Sequence, residues 1–99
     1  MIAYQLRVTP SASEDFLALR AYDQARLRDA IAAQLTYEPT TATKHRKRLR
    51  TNPIATWELR VGNWRVMYEV DDALGEVVIM AIGRKIHDTL VIRGEEHDL

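Results

Sequence analysis

Apolar residues recur along this chain with two periods, and the switch between them divides it into elements. Ile2, Tyr4, Leu6 and Val8 alternate with Ala3, Gln5 and Arg7, the period of a half-buried strand. Thr9-Pro10 ends that strand. Pro10 suits the first position of a helix behind a Thr cap, while Ser11 and Glu14 offer a competing capping box, so a helix starts within this stretch. Its apolar positions are Ala12, Phe16 and Leu19. Tyr22-Asp23 interrupts the pattern, and Asp23 can cap a second helix in which Leu27, Ile31 and Leu35 recur at helical spacing before Pro39 bounds it. Helices joined by so short a turn predict an antiparallel hairpin packed on one face of a sheet, with the other face left open.

Residues 57 to 70 return to period two, in two runs that meet at Gly62-Asn63. This predicts a β-hairpin with a two-residue type II′ turn, Gly62 supplying the positive φ of its first central position. The register follows by counting. Trp57, Leu59 and Val61 face Tyr68, Val66 and Trp64 on the core side, while Arg60 faces Arg65 and Glu58 faces Met67 on the other. Like charges directly across a ladder repel. Two facing arginines therefore either invite an anion, which arginine's planar fork suits, or stay solvated with Glu58 as a diagonal partner.

After the turn Asp71-Asp72-Ala73-Leu74-Gly75, the nearly unbroken apolar run Glu76 to Ile82 predicts a strand covered on both faces. Pairing Val70 with Glu76 places Val78, Met80 and Ile82 on the helix side, and Val77, Ile79 and Ala81 beside Met67 on the open side. Such an apolar strip needs cover, either from Leu90-Val91-Ile92 or from a partner. The same parity carries Lys85, and His87 if the strand continues, to the side of Arg60 and Arg65. The expected fold is α+β, in the order β-α-α-β-β-β, with a four-stranded, mainly antiparallel sheet and an αα-hairpin on one face. Residues 1–99 are expected to form a single domain, since this length can bury about two-thirds of its unfolded surface.

Charge sharpens the picture more than composition does. The formal net charge is zero, yet residues 44 to 65 hold Lys44, Arg46, Lys47, Arg48, Arg50, Arg60 and Arg65 against one acid, Glu58. Acids gather at Glu69, Asp71, Asp72 and Glu76, and at Glu95, Glu96 and Asp98, so a basic face with an acidic rim is expected. The segment 40 to 53 reads as a surface connection anchored by Leu49, either solvated or, because it leads into the arginine-bearing hairpin, phosphate-binding. With no cysteine and three scattered histidines, disulfides and thiolate metal sites are excluded, and neither a metal nor another cofactor is expected. No signal peptide and no apolar run of membrane-spanning length is found, so a cytoplasmic protein without membrane contact is expected.

From Tyr4 to about Lys85 the chain resembles the RelE/ParE superfamily of type II toxins. The resemblance rests on Thr9-Pro10-Ser11-Ala12, Leu35 with Pro39, Leu49, the hairpin from Trp57 to Val70, and Val78-Ile-Met-Ala-Ile-Gly-Arg-Lys85. It implies a toxin neutralised by a cognate antitoxin. In the RelE branch such a toxin enters the ribosome and cuts mRNA; in the ParE branch it poisons DNA gyrase without RNA cleavage, and a third possibility is a non-toxic relative that only binds its antitoxin. By resemblance, Arg65 matches the hairpin arginine that contacts the scissile phosphate in RelE-like nucleases, Arg60 matches a basic position on the preceding strand, and Lys85, preceded by Arg84, matches a basic position after the last strand. Glu58 stands where those enzymes have a second basic residue on that strand, and Thr89 or Val91 replaces their C-terminal tyrosine.

Cleavage through a 2′-hydroxyl requires stabilisation of phosphorane-like charge together with a base and an acid. Arg65, Arg60 and Lys85 can serve the charge, and His87 has the ordinary pKa for proton transfer. The sequence reading therefore favours a ribosome-dependent mRNA endonuclease with Arg65, Lys85 and His87 as catalytic candidates. Arg60, Arg84, Lys44, Arg46, Lys47, Arg48 and Arg50 are its RNA-binding candidates.

Overall fold

A computed structural model describes residues 2–99. The elements are β1 (Gln5–Val8), α1 (Pro10–Leu17), α2 (Ala21–Leu35), β2 (Arg46–Arg48), β3 (Trp57–Val61), β4 (Trp64–Asp71), β5 (Glu76–Ile86), β6 (Thr89–Ile92) and β7 (Glu95–His97). Thr9 settles the competition at the first helix: its side chain accepts from Ala12 N–H at 3.2 Å, with Pro10 in the first turn. Asp23 does not cap α2. The helix begins two residues earlier, behind Arg20, and the Asp23 carboxylate instead receives Arg20 Nε at 3.2 Å and Trp64 Nε1 at 3.3 Å.

The sheet has seven strands rather than four, in the order β2-β3-β4-β5-β6-β7, with β1 parallel to the first part of β5. All other pairings are antiparallel. Because β4 occupies one edge of β5 from Glu76 to Arg84, β1 (opposite Glu76 to Ile79) and β6 (opposite Arg84 to Ile86) share its other edge end to end. The three unforeseen strands are short. Arg46-Lys47-Arg48 and Glu95-Glu96-His97 form the sheet's charged margins, the composition that discourages edge-to-edge pairing between molecules.

The β3–β4 hairpin has the expected register, Val61 with Trp64 through Trp57 with Tyr68, and Gly62 lies at φ 60°. The β4–β5 register differs by one residue. Asp71, not Val70, pairs with Glu76, and a bulge then inserts Met80, so that Tyr68 pairs with Ile79 and Met67 with Ala81. A one-residue slip turns every side chain over, and the bulge turns them back. Val77 and Ile79 consequently join the helix-side core, Met80 lies on the opposite side, and Ile82 and Ala81 fall where the alternation places them.

The main core packs Leu27, Ile31 and Leu35 of α2 and Ala12 of α1 on Trp57, Leu59, Val66, Tyr68, Val77 and Ile79. Tyr68, fully buried and stacked on Trp57 at 6.2 Å, donates its hydroxyl to Pro39 O at 2.6 Å. The second face is not left open. Met67, Ala81, Leu90, Ile92 and Ala55 form a smaller core there, flanked by Leu49, Ile54, Met80 and Leu99. Gly83 makes this closure possible: a Cβ on it would come within 2.7 Å of Ile92 Cγ1 and Val91 O. No helix among the described residues is long and apolar enough to cross a membrane.

Candidate functional site

The hairpin places Glu58, Arg60 and Arg65 together on the face opposite the helices, and the anion shared by the two arginines is the chain's own. Glu58 lies 3.4 Å from Arg60 Nε and 3.7 Å from Arg65 Nε, with a side chain only 7% exposed. Arg65 is turned back toward the β3–β4 turn, where Nη1 donates to Gly62 O at 2.8 Å and to Trp64 O at 2.9 Å. Its side chain is 12% exposed against 44% for Arg60. Burial lowers the Arg65 pKa, Glu58 opposes that shift and Arg60 adds to it, leaving the guanidinium charged at any physiological pH.

The other candidates scatter around this cluster. Lys85 is half-buried one step farther along the same face, held by its backbone N–H to Asn63 O at 2.7 Å and paired with Leu90. His87 is exposed in the β5–β6 turn, where His87 and Asp88 lie at φ 47° and 66°. Two consecutive positive φ values mark a type I′ turn, which makes His87 a turn residue rather than a continuation of the strand. Lys44, Lys47, Arg48 and Arg50 are exposed; Lys47 pairs across β2–β3 with Glu58, while Arg48 lies over the Trp57 ring at 5.9 Å. Arg46 is buried. It donates to Thr41 O, Gln34 O and Gln34 Oε1 at 2.7–2.9 Å, pinning the connection to the end of α2 instead of presenting charge to solvent.

Arg84 has the opposite parity to Lys85 and faces the helix side, over the Trp64 ring at 5.2 Å. There it meets Arg20 and Arg26, which the sequence gives no reason to single out, across a cleft also lined by Tyr22, Asp23 and Asn63. These positions come from three separate parts of the chain. Only the fold brings them together, so neither spacing nor local charge reveals them.

The family described as the ParE toxin of the type II toxin–antitoxin system parDE matches residues 6–88. Among solved structures, the toxin–antitoxin complex RelBE2 from Mycobacterium tuberculosis is 28% identical, with 84% of this chain and 99% of that chain covered at a TM-score of 0.71. The archaeal RelE–RelB complex from Pyrococcus horikoshii is 19% identical over 87% of this chain and 99% of that chain, at a TM-score of 0.65, a likeness of fold. No curated protein matches the chain.

Proposed function

The chain belongs to the ParE toxin family of type II toxin–antitoxin systems, within the RelE/ParE superfamily, and on that premise we propose that it is a cytoplasmic toxin, neutralised by a cognate antitoxin, that acts by binding its target rather than by cutting RNA. The observation that carries this reading is Glu58. A scissile phosphate would have to compete for Arg65 with a buried carboxylate and two backbone carbonyls already in place. The proton-transfer side of a nuclease is equally thin: His87 stands in an exposed turn and Val91 pairs with Arg84 within the sheet. By resemblance to the ParE branch, the target is DNA gyrase. The antitoxin is supported by the two similar structures, both of them toxin–antitoxin complexes.

A RelE-like mRNA endonuclease is the second reading, favoured by the placement of Lys47, Arg60 and Lys85 on the Glu58 face and by the RelE identity of both structural neighbours. It requires substrate phosphate on the ribosome to displace Glu58 from Arg65. Induction of the chain in growing bacteria separates the two. Gyrase-linked DNA breaks with intact mRNA are expected, whereas in-frame cuts within translated codons, mapped by primer extension, would overturn the binding reading.

A further inference from the structure

We propose that the cleft between the start of α2 and the β3–β4 turn is a binding site for single-stranded nucleic acid. It has a volume of about 570 Å³ and is lined by Arg20, Arg26 and Arg84 together with Tyr22 and Trp64. The site is independent of whether the toxin's target is gyrase or the ribosome.

The contrast with the opposite face carries the inference. There, two arginines share a buried carboxylate and their mutual repulsion is satisfied within the chain. In the cleft the acid on hand, Asp23, is 8% exposed and already engaged by Arg20 Nε and Trp64 Nε1. Among the described residues neither Arg26 nor Arg84 has an ion-pair partner. Both nonetheless lie against the fold. Arg84 stacks on Trp64, and Arg26 lies so close against the turn that a Cβ on Gly62 would be 2.6 Å from its Nη2. Uncompensated guanidinium groups around a cavity repel one another, and an anion entering between them relieves that repulsion.

The aromatic groups choose the anion. Tyr22 is 70% exposed at the mouth of the cleft, and Trp64 is half-buried beneath a guanidinium. A basic groove with aromatic platforms is the combination that binds single strands, phosphates meeting the arginines and bases stacking on the rings. A duplex presents no unstacked base to these rings.

The test is fluorescence anisotropy of the purified chain with a labelled oligothymidylate and an oligouridylate of eight nucleotides, over a series of salt concentrations. Binding is expected to weaken about tenfold or more at low salt in the Arg26→Gln/Arg84→Gln double variant. The slope of log affinity against log salt should fall by about 1.4, because each single-strand phosphate contact contributes about 0.7. Tyr22→Ala should weaken binding about fivefold or more, the effect of losing one base stack, with the salt slope unchanged. Arg7→Gln, on β1 and paired with Glu76, is the charge control and should bind as the parent does. Parent-like affinity in the double variant, or an equal loss in Arg7→Gln, would overturn the site. So would tight, variant-sensitive binding of an oligoglutamate peptide without binding of either oligonucleotide, which would make the cleft a dock for an acidic protein segment. All four substituted side chains are exposed, and unchanged thermal melts would show that the fold is retained.

Discussion

Replacing Glu58 by Gln tests whether the hairpin arginines are held by the chain or merely sit near an acid. Gln keeps the shape and removes the charge, leaving Arg65 12% exposed with no counter-ion within the cluster. Removing one partner of a buried ion pair costs about 3–5 kcal/mol. Two features reduce that here, since Arg65 keeps its bonds to Gly62 O and Trp64 O and Arg60 can turn its 44%-exposed side chain into water. We therefore expect a loss of about 2–3 kcal/mol, between the buried and surface limits. In a domain of this size that lowers the melting temperature by about 10–20 °C. Urea unfolding followed by tryptophan fluorescence measures it directly, repeated at about 1 M salt, where the Debye length shrinks to about 3 Å and a surface pair is screened away. A loss below about 0.5 kcal/mol, or one that vanishes in salt, would place Glu58 among ordinary surface acids and reopen Arg65 to substrate.

Further outcomes follow from the same contacts. Arg46→Ala should destabilise the fold by about 1–2 kcal/mol, because it removes a buried side chain and its three hydrogen bonds to half-buried Gln34 and exposed Thr41, and urea unfolding reads this. His87→Gln should leave toxicity on induction unchanged; a fall of about 10²-fold or more in RNA cleavage would instead identify a proton-transfer group. Tyr68→Phe should cost about 1–3 kcal/mol through the orphaned Pro39 carbonyl. Burial raises the Tyr68 pKa above its ordinary 10, so its contribution is complete below pH 10 and is lost as pH rises toward the folded-state value. The variant should lack that alkaline decline in thermal melts. Gly83→Ala should cost about 1–3 kcal/mol by pushing β6 off β5, visible as faster amide exchange at Leu90 and Ile92.

The hairpin was readable because Gly62-Asn63 fixes a two-residue loop, and a fixed loop fixes every pair along both strands. The β4–β5 turn offered no such anchor. A loop one residue shorter and a bulge at Met80 cancel each other by Ala81, so the far end of β5 is placed correctly while Val77 and Ile79 change faces. β2 and β7 escaped notice because their strand character comes from edge pairing, whereas their residues are charged. In the site, residue positions were legible but exposure was not. Counting puts Arg65 on the correct face, yet only the packed structure shows Glu58 and the turn carbonyls closing around it. Arg20 and Arg26 carry no local signal, since their meaning depends on Arg84 more than half the chain away.

The tandem arrangement of β1 and β6 along one edge of β5 also sets an order of events in folding. Strands β3 to β7 form successive hairpins, each closed by a short turn, and can zip together locally. The N-terminal strand cannot join them early: Gln5 must find Glu76 in parallel, across both helices and three intervening strands, and such distant closure is slow. During synthesis β1, α1 and α2 leave the ribosome first; Leu27, Ile31 and Leu35 of α2 wait for the β3–β4 hairpin, and α1 waits longer, until β5 has been made. The helical layer is thus completed only with β5, and a nascent chain stalled before Glu76 holds α2 on the β3–β4 hairpin but α1 with no β5 to receive it.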